Sequence, residues 1–315
     1  MSGEHEPVLC QEALARLTGA GPDDAGNAGV RQGIYVDATF GRGGHTAALL
    51  ARLAAQSRVI IVDRDLSAIA VAREMAVDEP RLTVCHGKFS ELTNLLADVG
   101  VAQVQGVLMD LGVSSPQLDD PQRGFSFRRS GPLDMRMDVS ASLTAAQWLN
   151  TAPEQEIATV LRDYGEERHA RRIAGAIVRA RPLSDTLELA QVVSEAQPRR
   201  TPGKHDATRV FQAVRMRVND EMSELEQGLA QAFSALAIGG RLAVISFHSL
   251  EDRAVKHFFR SLTRPPQIPR RLPVRSADAK SRAIAVVGPV RAGPAEVARN
   301  PRARSALLRV VERAA

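Results

Sequence analysis

The sequence predicts an α/β protein: one open, mainly parallel sheet, interrupted after its fourth strand by an inserted all-helical segment. Three observations predict it. Short β-branched, apolar runs alternate with helical stretches between residues 33 and 110. That alternation stops near Ser114, and residues 143–197 read as helix. The run Arg241–Phe247 (RLAVISF) then reads as a fifth buried strand.

In chain order, residues 8–17 form a short amphipathic helix, and 19–33 is a Gly/Ala/Asp-rich loop. Gly33–Phe40 is the first strand, closed by Gly41-Arg42-Gly43-Gly44, with a helix from His45 to about Ala55. Arg58–Val62 is the second strand, ending at Asp63, and Leu66–Ala76 the second helix. Arg81–Cys85 and Gly106–Met109 are the third and fourth strands, with a helix near Glu91–Val99 between them. Such βαβ repeats build a parallel sheet with right-handed crossovers. The stretch 114–131 is Ser/Pro/Gly/Arg-rich loop, and Ile157, Val160, Leu161, Ile173, Ile177 and Val178 then recur at helical spacing. After the Pro198–Lys204 loop, one long helix is expected from about Ala207 to Leu236, stopped by Gly239-Gly240. The tail holds a Pro-rich loop (265–273), a strand-like Ala283–Val287 and an alternating Ala306–Val311. The expected domains are therefore 1–118 with 207–315 for the sheet, and 119–206 for the helical insertion.

With 315 residues the chain makes one large domain or two ordinary ones. Two cysteines exclude a disulfide framework and a Cys-rich zinc cluster, and no His or Cys spacing suggests a metal site. No apolar run approaches the ~20 residues that span a bilayer. The polar, acidic start is unlike a signal peptide. A cytoplasmic protein with no membrane role is expected.

The net charge of +5 conceals an asymmetry. Residues 1–120 carry −7, residues 162–217 carry +5, 218–252 carry −5 and 253–315 carry +12. Nearly all the positive charge is arginine; Lys88, Lys204, Lys256 and Lys280 are the only lysines. Arginine forks pair with phosphate and stack on bases, so a polyanion, nucleic acid first, is the expected partner. A coding bias toward arginine on a solvated surface is the bland alternative. The candidates for RNA contact are Arg168, Arg171, Arg172, Arg199 and Arg200 in the insertion, and Arg270, Arg271, Arg275, Arg282, Arg302 and Arg304 in the tail.

The chemistry clusters at strand ends. Gly41, Gly43 and Gly44 let a ligand approach the backbone closely. A dinucleotide fingerprint needs a third glycine at position 46, where Thr46 stands. Asp63 ends the second strand, where a carboxylate accepts from ribose hydroxyls. A ribose without the pyrophosphate glycine points to S-adenosylmethionine (AdoMet). An NAD-dependent oxidoreductase is the rival enzyme, and a catalytically silent assembly factor that binds AdoMet or nothing is the rival from another class. Phe89 follows the third strand and is placed to stack on adenine, or to fill the core. Asp110 ends the fourth strand and opens DLGVSSPQ, with Gln117 an amide that donates and accepts. A methyltransferase acting on an exocyclic amine needs acceptors that bind its N–H groups. Asp110, Ser114 and Ser115 supply them, unless this is only a loop leaving the sheet. His248 follows the fifth strand and is a candidate to orient the amine or take its proton, or is satisfied within its own loop. Asp134–Asp138 (DMRMD) is either part of a base pocket or an ion-paired hinge.

These residues sit in longer runs: HEPVL (5–9), DATFGRGGH (37–45), DRD (63–65), DLGVSSPQLDDPQRGFSFRRSGPLDMRMD (110–138), YGEER (164–168), TRVFQAVRMRVNDE (208–221), ISFHSLEDR (245–253) and NPRARSALLRVVER (300–313). Together they resemble, in order and over the whole chain, the bacterial ribosomal RNA small subunit methyltransferase H family, also called MraW. The resemblance implies a Rossmann-like class I AdoMet-dependent methyltransferase sheet with the helical insertion as RNA-recognition domain. It implies methyl transfer to the exocyclic N4 of a decoding-centre cytosine in 16S rRNA, in the small subunit or a late assembly particle. It also implies Gly43, Gly44, His45, Asp63, Phe89, Asp110 and Gln117 as cofactor contacts. The oligomeric state is not legible, with a homodimer as one option.

Overall fold

The structure, a computed structural model, describes residues 7–19, 32–198, 205–264 and 281–314. Arg199, Arg200, Arg270, Arg271 and Arg275 lie outside the described residues, as does the Pro-rich stretch 265–273. The chain divides into two compact units, Met1–Gly112 with Ser223–Ala315, and Val113–Met222.

The first unit opens with α1 (Cys10–Thr18), whose Cys10, Ala13, Leu14 and Leu17 are buried. Then come β1 (Ile34–Asp37), α2 (Gly44–Leu50), β2 (Arg58–Asp63), α3 (Leu66–Asp78), β3 (Leu82–His86), α4 (Leu92–Asp98) and β4 (Val104–Asp110). The first strand is shorter than its apolar run, because Ala38–Phe40 turn out of the sheet into the glycine loop.

The second unit is helical: α5 (Ser115–Asp119), α6 (Ala145–Thr151), α7 (Glu154–Asp163), α8 (Ala170–Arg179), α9 (Thr186–Ala196) and α10 (Thr208–Val218). Leu149, Ile157, Leu161, Ile173, Ile177, Leu189, Val193, Phe211 and Val214 share its core. Thus α10 packs in this unit, not with the sheet as the division at 206/207 expected. Its loop is tightly folded: a Cβ on Gly124 would lie 2.2 Å from the Pro132 carbonyl oxygen, and one on Gly131 2.0 Å from that of Pro121.

The single long helix expected over 207–236 is two helices. α10 stops at Val218 and α11 runs over Glu221–Ala235. Asp220 between them is left-handed, at φ 49°. Asn219 makes the break by leaving the helical pattern. Its amide donates to the Met135 carbonyl at 2.7 Å and its oxygen accepts from Met137 N–H at 2.7 Å.

The first unit resumes with β5 (Leu236–Ser246), α12 (Ser249–Thr263), β6 (Ala283–Arg291), α13 (Pro294–Arg299) and β7 (Leu307–Arg313). The seven strands lie in the order β3-β2-β1-β4-β5-β7-β6. All pairs from β3 to β5 are parallel; β7 is antiparallel to both β5 and β6. This strand order is that of a Rossmann-like sheet extended by an antiparallel β7 and β6. Both faces of the parallel strands are covered, which their continuous apolar sequence required. Alternate residues serve opposite cores: Val36, Ile60 and Val62 join Leu225, Leu229 and Phe233 on one side. Tyr35, Val59, Ile61 and Leu108 join Leu14 and Leu49 on the other. This period of two fixes the register that places Asp37, Asp63 and Asp110 at the carboxyl ends of β1, β2 and β4. Among the described residues no helix is long and apolar enough to cross a membrane.

Candidate active site

The glycine turn after β1 is held by carboxylates. Asp37, almost wholly buried, accepts from Thr46 Oγ1–H at 2.6 Å and from Thr39 N–H at 3.2 Å. Burial pushes its pKa up; His45 and these two donors oppose the rise. Thr46, which the dinucleotide pattern would replace by glycine, therefore has a structural task. Asp63 accepts from Gly41 N–H on Oδ2 at 2.9 Å and from Asp65 N–H on Oδ1 at 2.8 Å. Burial also raises its pKa, against those two backbone donors. Each carboxylate oxygen keeps a further lone pair for a ligand hydroxyl. Gly41 and Gly43 are left-handed, at φ 57° and 78°, and a Cβ on Gly43 would meet the Phe40 ring at 2.7 Å. Gly44 lies against Pro7, 3.2 Å from where its Cβ would be.

His45 turns inward. Its Nε2 lies 3.0 Å from the Val8 carbonyl, which can only accept, so Nε2 carries a proton. Its Nδ1 faces Asp110 Oδ2 at 3.5 Å. The Asp110 backbone N–H donates to Thr39 Oγ1 at 2.6 Å, tying β4 to the glycine turn. The other carboxylate oxygen, Asp110 Oδ1, is buried with no hydrogen-bond partner. The Asp110 pKa is pushed up to about 6, mainly by burial; His45 lowers it, while Asp37 and Glu251 raise it. An unpaired buried acceptor costs ~1–3 kcal/mol. It marks a position where a ligand donor would be accepted.

Phe89 opens a single 3₁₀ turn, Phe89–Glu91, after β3. Its half-buried ring rests on Gly228 of α11, where a Cβ would fall 2.2 Å from Cδ2. His248 caps α12. Its Nδ1 accepts from Glu251 N–H at 3.4 Å, and its Nε2 lies 3.1 Å from Glu251 Oε1. Glu251 in turn accepts from Phe247 N–H at 2.8 Å. The cap occupies the Nδ1 lone pair, while Nε2 is buried without a hydrogen-bond partner, so the loop satisfies this imidazole only in part.

Ser114, Ser115 and Gln117 belong to the second unit. Ser114 is the N-cap of α5, and its N–H donates to Gln117 Oε1 at 3.0 Å. Gln117 is buried. In the same unit Arg136 pairs with Asp134 at 2.7 Å and donates to the Val139 and Ala141 carbonyls, the ion-paired reading of DMRMD. Of the described arginine candidates, Arg168, Arg171, Arg172, Arg282 and Arg304 are exposed and Arg302 half-buried.

The first unit thus gathers Asp37, Asp63, Asp110, Gly43 and His45 around one strand-end turn. The bracing roles of Thr39, Thr46, the Val8 carbonyl and Glu251 were not anticipated. Only Glu251 left a sequence signal, three residues after the cap residue His248.

The family model of the MraW methylase family matches residues 2–314. The ribosomal RNA small subunit methyltransferase H of Thiobacillus denitrificans is 51% identical over 319 residues, covering 100% of this chain and 99% of that protein. Among solved structures, an rRNA methylase from Streptococcus thermophilus aligns at 11% identity over 100% of both chains, with a TM-score of 0.41. A methyltransferase from Streptococcus mutans in complex with SAH aligns at 12% identity, 97% of this chain and 96% of that one, also at 0.41. At that similarity the two solved structures carry no inference about this chain's activity.

Proposed function

The chain belongs to the MraW methylase family, and on that premise we propose that it methylates the exocyclic N4 of a decoding-centre (P-site) cytosine in 16S rRNA. AdoMet is the methyl donor. The observation that carries the reading is the buried, unpaired Asp110 Oδ1 beside the carboxylate-braced glycine turn. These residues fit the cofactor: left-handed glycines for close approach, a held carboxylate for the ribose, and a half-buried aromatic beyond β3.

In this reading Asp63 accepts the ribose hydroxyls, Gly43, Gly44 and His45 line the donor's amino-acid end, and Phe89 packs on adenine. Asp110 and Gln117 complete the cofactor contacts. When bound, the sulfonium supplies an electrophilic methyl, so the protein's share is positioning and electrostatics. Asp110, with Ser114 and Ser115 a few residues on, accepts from the amine N–H groups and draws the nitrogen lone pair toward the methyl. A methylated amine would have one proton to lose. Asp110 is the acceptor suited to it, with a pKa of about 6. His248 serves orientation, through the start of α12. The helical unit and the basic tail hold rRNA, in the small subunit or a late assembly particle, through Arg168, Arg171, Arg172, Arg282, Arg302 and Arg304. Action in the cytoplasm and, as one option, as a homodimer belong to the same proposal.

The test is methyl transfer from labelled AdoMet to small subunits lacking the modification. Nuclease digestion and mass spectrometry should find label in N4-methylated cytidine. Label on another atom or base would defeat the reading.

A further inference from the structure

α12 was not anticipated, and its sequence is divided by face. Glu251, Val255, Phe259 and Leu262 are buried. Arg253, Lys256, Arg260 and Arg264 are exposed, at spacings of three and four, with exposed His257 among them. Lys256, Arg260 and Arg264 thus form one line of about 12 Å along the helix. No acidic residue occurs between Arg253 and Arg264.

Among the described residues, the carboxylates near this helix are engaged elsewhere. Asp252 holds Arg309 at 2.7 Å, Glu312 of β7 holds Arg241 at 2.9 Å, and Glu251 faces His248. Among the described residues, Lys256, Arg260 and Arg264 have no carboxylate partner. Arg282 extends the line past the helix end. Its N–H donates to the Leu262 carbonyl at 3.0 Å, and its guanidinium lies over the Phe233 ring at 5.7 Å.

Two ordinary explanations fall short. The helix dipole favours cations only in the last turn, so it accounts for Arg260 and Arg264 but not for Lys256. Like charges four apart, Lys256/Arg260 and Arg260/Arg264, oppose helix stability unless a counter-charge is present. α12 itself starts at the reaction edge, and the line begins at Lys256, seven residues or about 10 Å further along it. α12 follows β5 directly, Ile245 of β5 is in register with Asp110, and Glu251 is within electrostatic reach of Asp110.

We propose that the exposed face of α12, through Lys256, Arg260 and Arg264, is a docking surface for the rRNA phosphate backbone. It carries the strand that flanks the target nucleotide. This rests on the rRNA methyltransferase reading.

The experiment is a salt titration of binding to protein-free 16S rRNA and to small subunits. It compares the wild type, the triple variant Lys256→Gln/Arg260→Gln/Arg264→Gln, and the charge-keeping Arg260→Lys/Arg264→Lys. Each lost phosphate contact lowers the log–log salt slope by ~0.7–0.9, so the triple variant should lose about 2–3. Its affinity at moderate salt should fall at least tenfold, while its thermal midpoint does not fall and its affinity for S-adenosylhomocysteine stays at the wild-type value. The charge-keeping variant should keep the wild-type slope. An unchanged slope in the triple variant, against a steep wild-type slope, overturns the proposal and leaves the methyltransferase reading standing. A loss seen with subunits but not with protein-free rRNA overturns it in favour of a protein partner. A wild type that binds and methylates no rRNA overturns both.

Discussion

Replacing Asp63 with alanine removes a charged acceptor from the cofactor ribose and two braces from the glycine turn. Its oxygens take Gly41 N–H at 2.9 Å and Asp65 N–H at 2.8 Å. A hydrogen bond to a charged group is worth ~1.5–3 kcal/mol. AdoMet affinity should therefore fall roughly 10- to 150-fold. Asparagine is the sharper probe. Its amide has one oxygen for two backbone donors, so its NH₂ must face either Gly41 N–H or Asp65 N–H. Asp63→Asn should lose affinity within the same range, although it is nearly isosteric. Calorimetry with AdoMet measures both variants, and thermal unfolding shows whether the fold persists. Wild-type affinity in Asp63→Asn would refute the reasoning, because neither the charge nor the paired brace would then matter.

Asp110 predicts a pH dependence. Its pKa rises from 3.8 unfolded to about 6 folded, so stability should fall as pH rises from about 4 to about 6 and then level off. Asp110→Asn should remove that component of the slope in thermal unfolding, while methyl transfer by the wild type should increase through pH about 6. His45→Ala removes the group that favours ionised Asp110, so the midpoint of the pH–rate profile should move upward. Gly228→Ala places a Cβ 2.2 Å from Phe89 Cδ2. It should cost ~1–3 kcal/mol in chemical denaturation and weaken AdoMet binding, whereas Gly288→Ala, with nothing within 4 Å, should do neither. Replacing exposed Arg168, Arg171 and Arg172 with glutamine should weaken rRNA binding in a salt titration and leave AdoMet affinity unchanged.

The sheet was legible because parallel strands covered on both faces need continuous apolar runs, and β1, β2 and β4 each ended in a visible aspartate. The order of β7 and β6 was not legible, since strand pairing far along the chain leaves no local pattern. The break at Asn219-Asp220 was missed because the apolar spacing continues on both sides; the cause is Asn219 bonding to Met135 and Met137, distant in sequence. α12 was missed for another reason. Its fully buried apolar stripe is Val255, Phe259 and Leu262, interleaved with Arg253, Lys256, His257 and Arg260, and its N-cap is a histidine. At the site, strand-end positions announced Asp63 and Asp110. The inward turn of His45 to Val8 and Asp110 depends on tertiary packing, which spacing does not encode.

The most direct test of the central claim is nucleotide-resolved mass spectrometry of 16S rRNA from subunits lacking the modification, incubated with the wild type or Asp110→Asn and labelled AdoMet. The wild type should place one methyl group on N4 of a single decoding-centre cytidine, and Asp110→Asn should place far less there at the same protein concentration. A methyl on a cytosine ring carbon, on a ribose hydroxyl or on large-subunit RNA would contradict the account, as would full activity in Asp110→Asn.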